Sequence, residues 1–377
     1  MTPAPPFPDN VLLAPLTRGG NLPFRRLCAD FGAKVTCSEM AYAHKLLKGS
    51  GRELALLRHH ESETFFGVQL ATHKAELARD AAILAVEHGA KWVDLNCGCP
   101  IDDTVKRGMG ARLMDRTRTL VDIVAAMVEA VDVPVTAKLR LGFRKGKVKS
   151  DGVAEDLERI GVSAVILHGR SREQRYSKAA DWEAVGRLVA DRNLTVIGNG
   201  DVLTWYEARD RLADSGAHGL MLGRGPLIKP WIFQEIREGR ELCLGPAERI
   251  AIYHRLAGYF REHFGDDELG HRRAMYFLPW HFGFFARYRP LPEGEWHARS
   301  QEHPLMQTRD AKPEPTTTLE RLLASGNNDL HQEIAQLLWD ADSADEAVGR
   351  MGELADARLA DGSLERLGGR IDTGGWG

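Results

Sequence analysis

The sequence predicts a parallel (β/α)8 barrel followed by a smaller helical domain, and three observations lead there. Eight short apolar runs alternate with helix-like segments over roughly the first 240 residues. Polar residues gather at the C-terminal ends of those runs, where barrels of this kind assemble their sites. The first run leads into APLTRGGNLPF, not into the GxGxxG that opens most doubly wound nucleotide-binding sheets.

The runs occupy 11–16, 34–40, 65–70, 92–97, 134–141, 164–169, 195–200 and 219–223. Short, apolar throughout and partly β-branched, they suit strands covered on both faces. Between them, 76–88 and 120–131 carry apolar residues at three- and four-residue spacing, the pattern of amphipathic helices. Gly32, Gly89, Gly161 and Gly216 stand where helices end in a left-handed cap. Thr204 followed by Glu207 fits a capping box.

After about residue 243 the alternation stops. Residues 246–263 read as an amphipathic helix, and 271–288 are rich in aromatic residues. A polar, proline-containing linker is expected over roughly 290–316, with helical patterns resuming to about 340. The last stretch holds eight Asp/Glu against four Lys/Arg and little to pack. The expected division is therefore a barrel over 1–243, a helical domain over 244–341 and an acidic, mobile tail over 342–377.

Composition narrows the class. The 377 residues suffice for one barrel of about 250 residues plus a smaller domain, and 43% apolar with 27% charged residues is ordinary for a globular chain. Five cysteines, odd in number and sparse, do not make a disulfide framework. MTPAPPFPDN has neither the basic start nor the apolar core of a secretory leader. No apolar run approaches the roughly 18 residues of a membrane span. The expectation is a cytoplasmic protein with reduced thiols, taken as a monomer, with no metal.

The strand ends carry the chemistry. WVDLNCGCP, residues 92–100, places Asn96, Cys97 and Cys99 at the end of the fourth strand. Cys99 is either a reactive thiol or an inert buried one, and a CxC pair without further cysteines nearby is a poor metal site. Lys138 lies within VTAKLRL, where burial is costly unless a polar partner or an anion meets the ammonium. Gln69 and His168 are each either ligands or satisfied core residues. Asn199, Gly200 and Asp201 end the seventh strand, and Gly223 and Arg224 the eighth. Loops at those two positions form the usual phosphate site of the fold, although each alone also fits a tight turn.

Taken in order, APLTRGGNLPFR, FFGVQL, VDLNCGCP, AKLRLG, LHGR, GNGD and GRGPLIKPWIF resemble the tRNA-dihydrouridine synthases over about residues 10–240. GNLPFRRLC, CPIDDTVKRGMGARLM and GRGPLIKPWIF look most like the subgroup that in eukaryotes carries N-terminal zinc fingers, here without the fingers. The resemblance implies an FMN enzyme that reduces the C5–C6 bond of uridine in tRNA, with NADPH as reductant. It makes Cys99 the proton donor to C5. It makes Pro15, Leu16, Thr17, Gln69, Lys138, His168, Asn199, Gly200, Asp201, Gly223 and Arg224 the flavin contacts. The opening APLTRGGN differs from the APMAGVTD common in bacterial members. The D-loop and the variable-loop region both stay open as targets, with the subgroup resemblance leaning to the latter.

Charge supports an RNA substrate despite a net charge of −3. Residues 138–149 hold Lys138, Arg140, Arg144, Lys145, Lys147 and Lys149 without an acid, and 170–178 hold Arg170, Arg172, Arg175 and Lys178 against Glu173. Focused positive charge at one rim attracts a phosphate backbone. Asn96, Arg140, Arg170, Lys145 and Arg175 are expected to bind the substrate or its RNA backbone, and the helical domain over 244–341, with Arg272, Arg273, Arg287 and Arg289 among its aromatics, to dock the tRNA body. Two other readings remain: an FMN barrel oxidoreductase for a small molecule, and a non-catalytic RNA-binding or chaperone protein on the same scaffold.

Overall fold

The computed structural model describes residues 6–176, 178–307 and 314–366. Eight parallel strands close into a barrel: β1 (Val11–Leu13), β2 (Val35–Cys37), β3 (Phe65–Ala71), β4 (Trp92–Asn96), β5 (Val135–Arg140), β6 (Ala164–His168), β7 (Val196–Asn199) and β8 (Gly219–Leu222). Each pairs with its neighbours, and β1 pairs with β8 to close the ring. A two-residue strand, Ala41–Tyr42, prolongs the second unit and pairs with the end of β3. Every strand lies within or beside its predicted run. The strands carry almost continuous burial, as expected when helices cover the outside and side chains fill the inside.

The local signals hold. The four predicted cap glycines all have positive φ, from 64° at Gly216 to 92° at Gly89. Thr204 and Glu207 form the reciprocal capping box of helix Trp205–Ser215.

Register sets the site. Asn96 stands opposite Lys138, Arg140 opposite His168, and His168 opposite Asn199. Because side chains alternate along a strand, Asp94 and Asn96 share one face of β4, as Thr136, Lys138 and Arg140 share one face of β5. Polar residues from four strands therefore meet at one end of the barrel.

Beyond the barrel, helices Pro246–Phe264, Glu268–Phe285, Asn328–Asp340 and Ala344–Ala360 pack on one another. Helix Glu268–Phe285 also docks on the loop after β1: the Asn21 amide lies 3.1 Å from His281 Nε2, and Phe24 stacks on the His281 ring at 4.7 Å. Phe282, Phe284, Phe285 and Tyr288 are core residues here. Among the described residues no helix is long and apolar enough to cross a membrane.

Two expectations fail. The acidic tail is not a loose end: residues 344–360 form a helix that buries Ala347, Met351 and Ala355 against the helical domain. Small residues at a helical spacing need no bulky side chains to pack closely, and composition alone hid that stripe. Residues 367–377 of the expected tail lie outside the described residues. The expected linker contains helix Glu293–Glu302, which buries Trp296 and is tied to the barrel by an Arg209–Glu293 ion pair at 2.8 Å. Its residues 308–313 also lie outside the described residues.

Candidate functional site

A cavity of about 330 Å³ opens at the C-terminal end of the barrel, within the range of small-molecule sites. It brings together Cys99, Pro15, Leu16, Thr17, Gln69, Lys138, His168, Asn199, Gly200, Asp201, Gly223, Arg224, Asn96, Arg140 and Arg170. Lys145 and Arg175 do not line it; both are exposed residues of the outer rim.

On one side lies Cys99. The Asn96 side-chain oxygen accepts from the backbone N–H groups of Gly98 (3.2 Å) and Cys99 (2.8 Å), which shapes the turn that presents the thiol. Asn96 is thus a scaffold for Cys99 as well as a lining residue. Its amide donates to Gln69 Oε1 at 2.7 Å, and the Gln69 amide donates to Asp94 at 2.7 Å. A carboxylate only accepts, so Asp94 fixes the orientation of both amides. Burial pushes the Asp94 carboxyl up to about 6, against the hydrogen bonds from Thr136 and Gln69. The Cys99 thiol donates to Thr104 Oγ1 at 3.8 Å, and that hydroxyl lies 2.9 Å from the Tyr42 hydroxyl. Burial raises the Cys99 thiol; since an ordinary thiol titrates near 8.5, Cys99 is protonated at neutral pH.

The other side is charged. Asp201, with no exposed side-chain surface, pairs with Arg170 and, at 2.7 Å, with Arg224. It also accepts from the Ala180 N–H at 2.7 Å. Tyr176 covers the Arg224 guanidinium at 4.2 Å. Lys138 donates to Asn199 at 2.8 Å, and Asn199 in turn donates to the Met221 carbonyl at 2.6 Å. Burial lowers the Lys138 ammonium to about 8, with Arg140 adding to the effect. No carboxylate lies within ion-pair distance of it among the described residues. His168 is held well below its ordinary range by burial and then by Arg140 and Lys138, so it is neutral. Arg170 Nη1 lies 3.2 Å from His168 Nε2; a guanidinium only donates, so Nε2 accepts and Nδ1 carries the proton.

Arg140 and Arg170 face the cavity and not the outer rim. Both are buried. Arg140 donates to the Gly98 carbonyl at 2.6 Å and the Ser171 carbonyl at 3.1 Å. Arg170 donates to the Lys178 carbonyl at 2.8 Å and to Asp201. They stand at inward strand-end positions, so their charge faces the cavity and braces its loops. Farther out, Lys149 and Arg172 pair with Asp115 and Asp102. Arg144, Lys145, Lys147 and Arg175 have no carboxylate within ion-pair distance among the described residues.

The lining suits an anionic, partly aromatic ligand. Among the described residues, five cations (Arg18, Lys138, Arg140, Arg170 and Arg224) face the cavity against a single carboxylate, Asp201. A Cβ added at Gly223 would make only ordinary contacts, 3.5 Å from Leu16 and 3.9 Å from Ala14. Protein packing therefore does not require glycine there, and its bare backbone lines the cavity. Gly200 differs: its φ is +138°, and a Cβ would meet Ala180 at 2.5 Å, so the fold itself requires that glycine.

Sequence reasoning missed Arg18, Tyr176, Trp280 and Met306 as lining residues. Tyr176 lay inside a segment weighed only for charge, and Trp280 among aromatics assigned to the core. Met306 carried no signal. Among the described residues no cluster of His, Cys, Asp or Glu is placed to hold a metal ion.

The dihydrouridine synthase (Dus) family matches residues 12–284. The chain is 42% identical over 287 residues to a Xenopus tropicalis protein named tRNA-dihydrouridine(47) synthase [NAD(P)(+)]-like, covering 76% of this chain and 45% of that one. It is 42% identical over 281 residues to the Homo sapiens protein of the same name, covering 74% and 43%. It thus spans less than half the length of these relatives. Histamine dehydrogenase from Rhizobium sp. 4-9 shares the fold, with a TM-score of 0.50 at 13% identity over 68% of this chain and 50% of that one.

Proposed function

The chain belongs to the dihydrouridine synthase family, and from that premise we propose that it reduces the C5–C6 bond of a uridine in tRNA to 5,6-dihydrouridine, with FMN as bound cofactor and NADPH as reductant. The observation that carries this reading is a protonated thiol, Cys99, at the wall of a cavity whose other wall is cationic. The names of the relatives point to position 47, in the variable loop, as the target.

The donor set fits the cofactor. Gly223 and Arg224, braced by Asp201, would hold the phosphate, with Gly200 and Asp201 shaping the loop beside them. Lys138, kept in place by Asn199, would hold an electron-rich ring edge together with Gln69 and His168, and Pro15, Leu16 and Thr17 would close the remaining wall. Bound FMN, reloaded by NADPH, supplies the hydride that C6 receives.

The chain's own part is the proton. Reduction of C5–C6 consumes one hydride and one proton, and a thiol kept neutral by burial is the acid suited to supply the second. Asn96 fixes the backbone of Cys99, so Sγ is presented from a rigid turn. When the proton has left, the Thr104 hydroxyl is positioned to donate to the thiolate. A uridine must stand clear of its stack to reach the cavity. The exposed cations Arg144, Lys145, Lys147 and Arg175 would attract the backbone around it.

The test is nucleoside mass spectrometry of tRNA from cells with and without the gene, mapped by position. Loss of dihydrouridine at position 47 alone is the expected result. Unchanged dihydrouridine at every position, with redundant enzymes removed, would overturn the reading.

A further inference from the structure

One face of helix Glu268–Phe285 runs from the wall of the cavity out to solvent. Trp280 lines the cavity. One turn toward the N-terminus stands Tyr276, 56% exposed and the most exposed large apolar or aromatic residue among those described. A further turn away stand Arg272 and Arg273, both exposed and without an ion-pair partner among the described residues. Residues spaced by three, four and seven share a helical face, so these four form one stripe. The only acid on the helix is Glu268, at its first residue.

Arg18 joins this stripe from the barrel. Its guanidinium lies 4.0 Å from the Tyr276 ring centroid and 5.9 Å from that of Trp280. No carboxylate is within ion-pair distance of it among the described residues, and its Nε is buried without a hydrogen-bond partner. The arginine occupies a left-handed conformation, φ +64°, which an arginine adopts only at a cost. Glu39 accepts from the Arg18 backbone N–H at 2.9 Å, yet the guanidinium itself is turned to the aromatic rings at the cavity mouth and not into an ion pair.

An aromatic face backed by unpaired cations, continuous with a cavity, is the surface that unstacked nucleotides recognise: bases stack on the ring and phosphates meet the arginines. Resting on the reading that the cavity takes a uridine from tRNA, we infer that Tyr276 is the stacking platform for a nucleotide flanking that uridine. In this arrangement Arg18 meets the phosphate between the two, and Arg272 and Arg273 meet the backbone beyond. The track selects a single-stranded or unstacked RNA segment by its geometry, not by base edges.

The experiment uses the full chain with its flavin and an unmodified tRNA transcript carrying 2-aminopurine beside the target uridine. Binding should quench the probe in the wild type and in Tyr276→Phe, and leave it bright in Tyr276→Ala. Tyr276→Ala should also bind the transcript about 5- to 100-fold more weakly, with flavin content and NADPH oxidation in the absence of tRNA unchanged. Unaltered affinity and quenching in Tyr276→Ala, with a wild type that forms dihydrouridine, would overturn this inference alone. A wild type that neither binds nor reduces the transcript would overturn the reading beneath it as well.

Discussion

The two walls of the cavity hold their side chains by different physics. Around Cys99 the contacts join neutral groups to a single buried carboxylate: Asp94 orders Gln69, Gln69 orders Asn96, and Asn96 orders the Cys99 turn. Across from it, Asp201 binds two arginines, and Lys138 rests on an amide oxygen with no carboxylate within ion-pair distance among the described residues. A wall in which one buried carboxylate orders the amides and Arg140 braces the Gly98 carbonyl fixes the direction of the thiol, and burial keeps it protonated. A wall with surplus cations keeps room for an anion. The contrast implies that the first governs proton delivery and the second governs cofactor retention.

The sharpest break of that division is Cys99→Ala. Product formation should fall by about 100- to 10,000-fold, the usual worth of a general acid, while bound flavin and its reduction by NADPH persist. Undiminished dihydrouridine formation would remove Cys99 from the role of acid. Next, Asp201→Ala leaves Arg170 and Arg224 without their shared partner inside the protein. Breaking a buried pair costs about 3–5 kcal/mol, so thermal denaturation should show a large loss of stability, and visible absorbance a loss of flavin. Full flavin content in a stable variant would show that the charged wall is dispensable.

A smaller effect should come from pH. Asp94 titrates near 6 in the folded chain instead of 3.8, so between those values the folded state binds more protons than the unfolded one. The stability this raised value contributes is fully present below 3.8 and is lost as pH rises through 6. Relative to Asp94→Asn, the wild type should therefore lose on the order of 2–3 kcal/mol between pH 4 and 7, measured by urea denaturation at each pH. A difference independent of pH would place the titration elsewhere. Smallest, Lys145→Ala should weaken tRNA binding about two- to threefold and lower the salt dependence by about one charge, leaving both walls untouched. An unchanged salt slope would remove Lys145 from the RNA face.

The barrel was legible because its signals are local. Runs of β-branched residues, a glycine that must turn left-handed at a helix end, and the Thr204–Glu207 box depend on neighbours a few residues away. The helix at 344–360 was not legible, because alanine and methionine at a helical spacing become a packing face only when helix Pro246–Phe264 lies beside them.

The sequence by itself determined which residues stand at strand ends, and hence that Cys99, Lys138, His168, Asn199 and Arg224 share one rim. Parallel strands in register leave them no other place. Only the tertiary structure decided where each side chain directs its bonds. Arg140 and Arg170 look like rim cations in sequence, yet folding turns them inward to brace loops, because a buried guanidinium must satisfy its donors with the carbonyls and carboxylate around it. Trp280 and Met306 reach the cavity from outside the barrel. Chain segments that lie far apart in sequence become neighbours by packing, and no spacing records that contact.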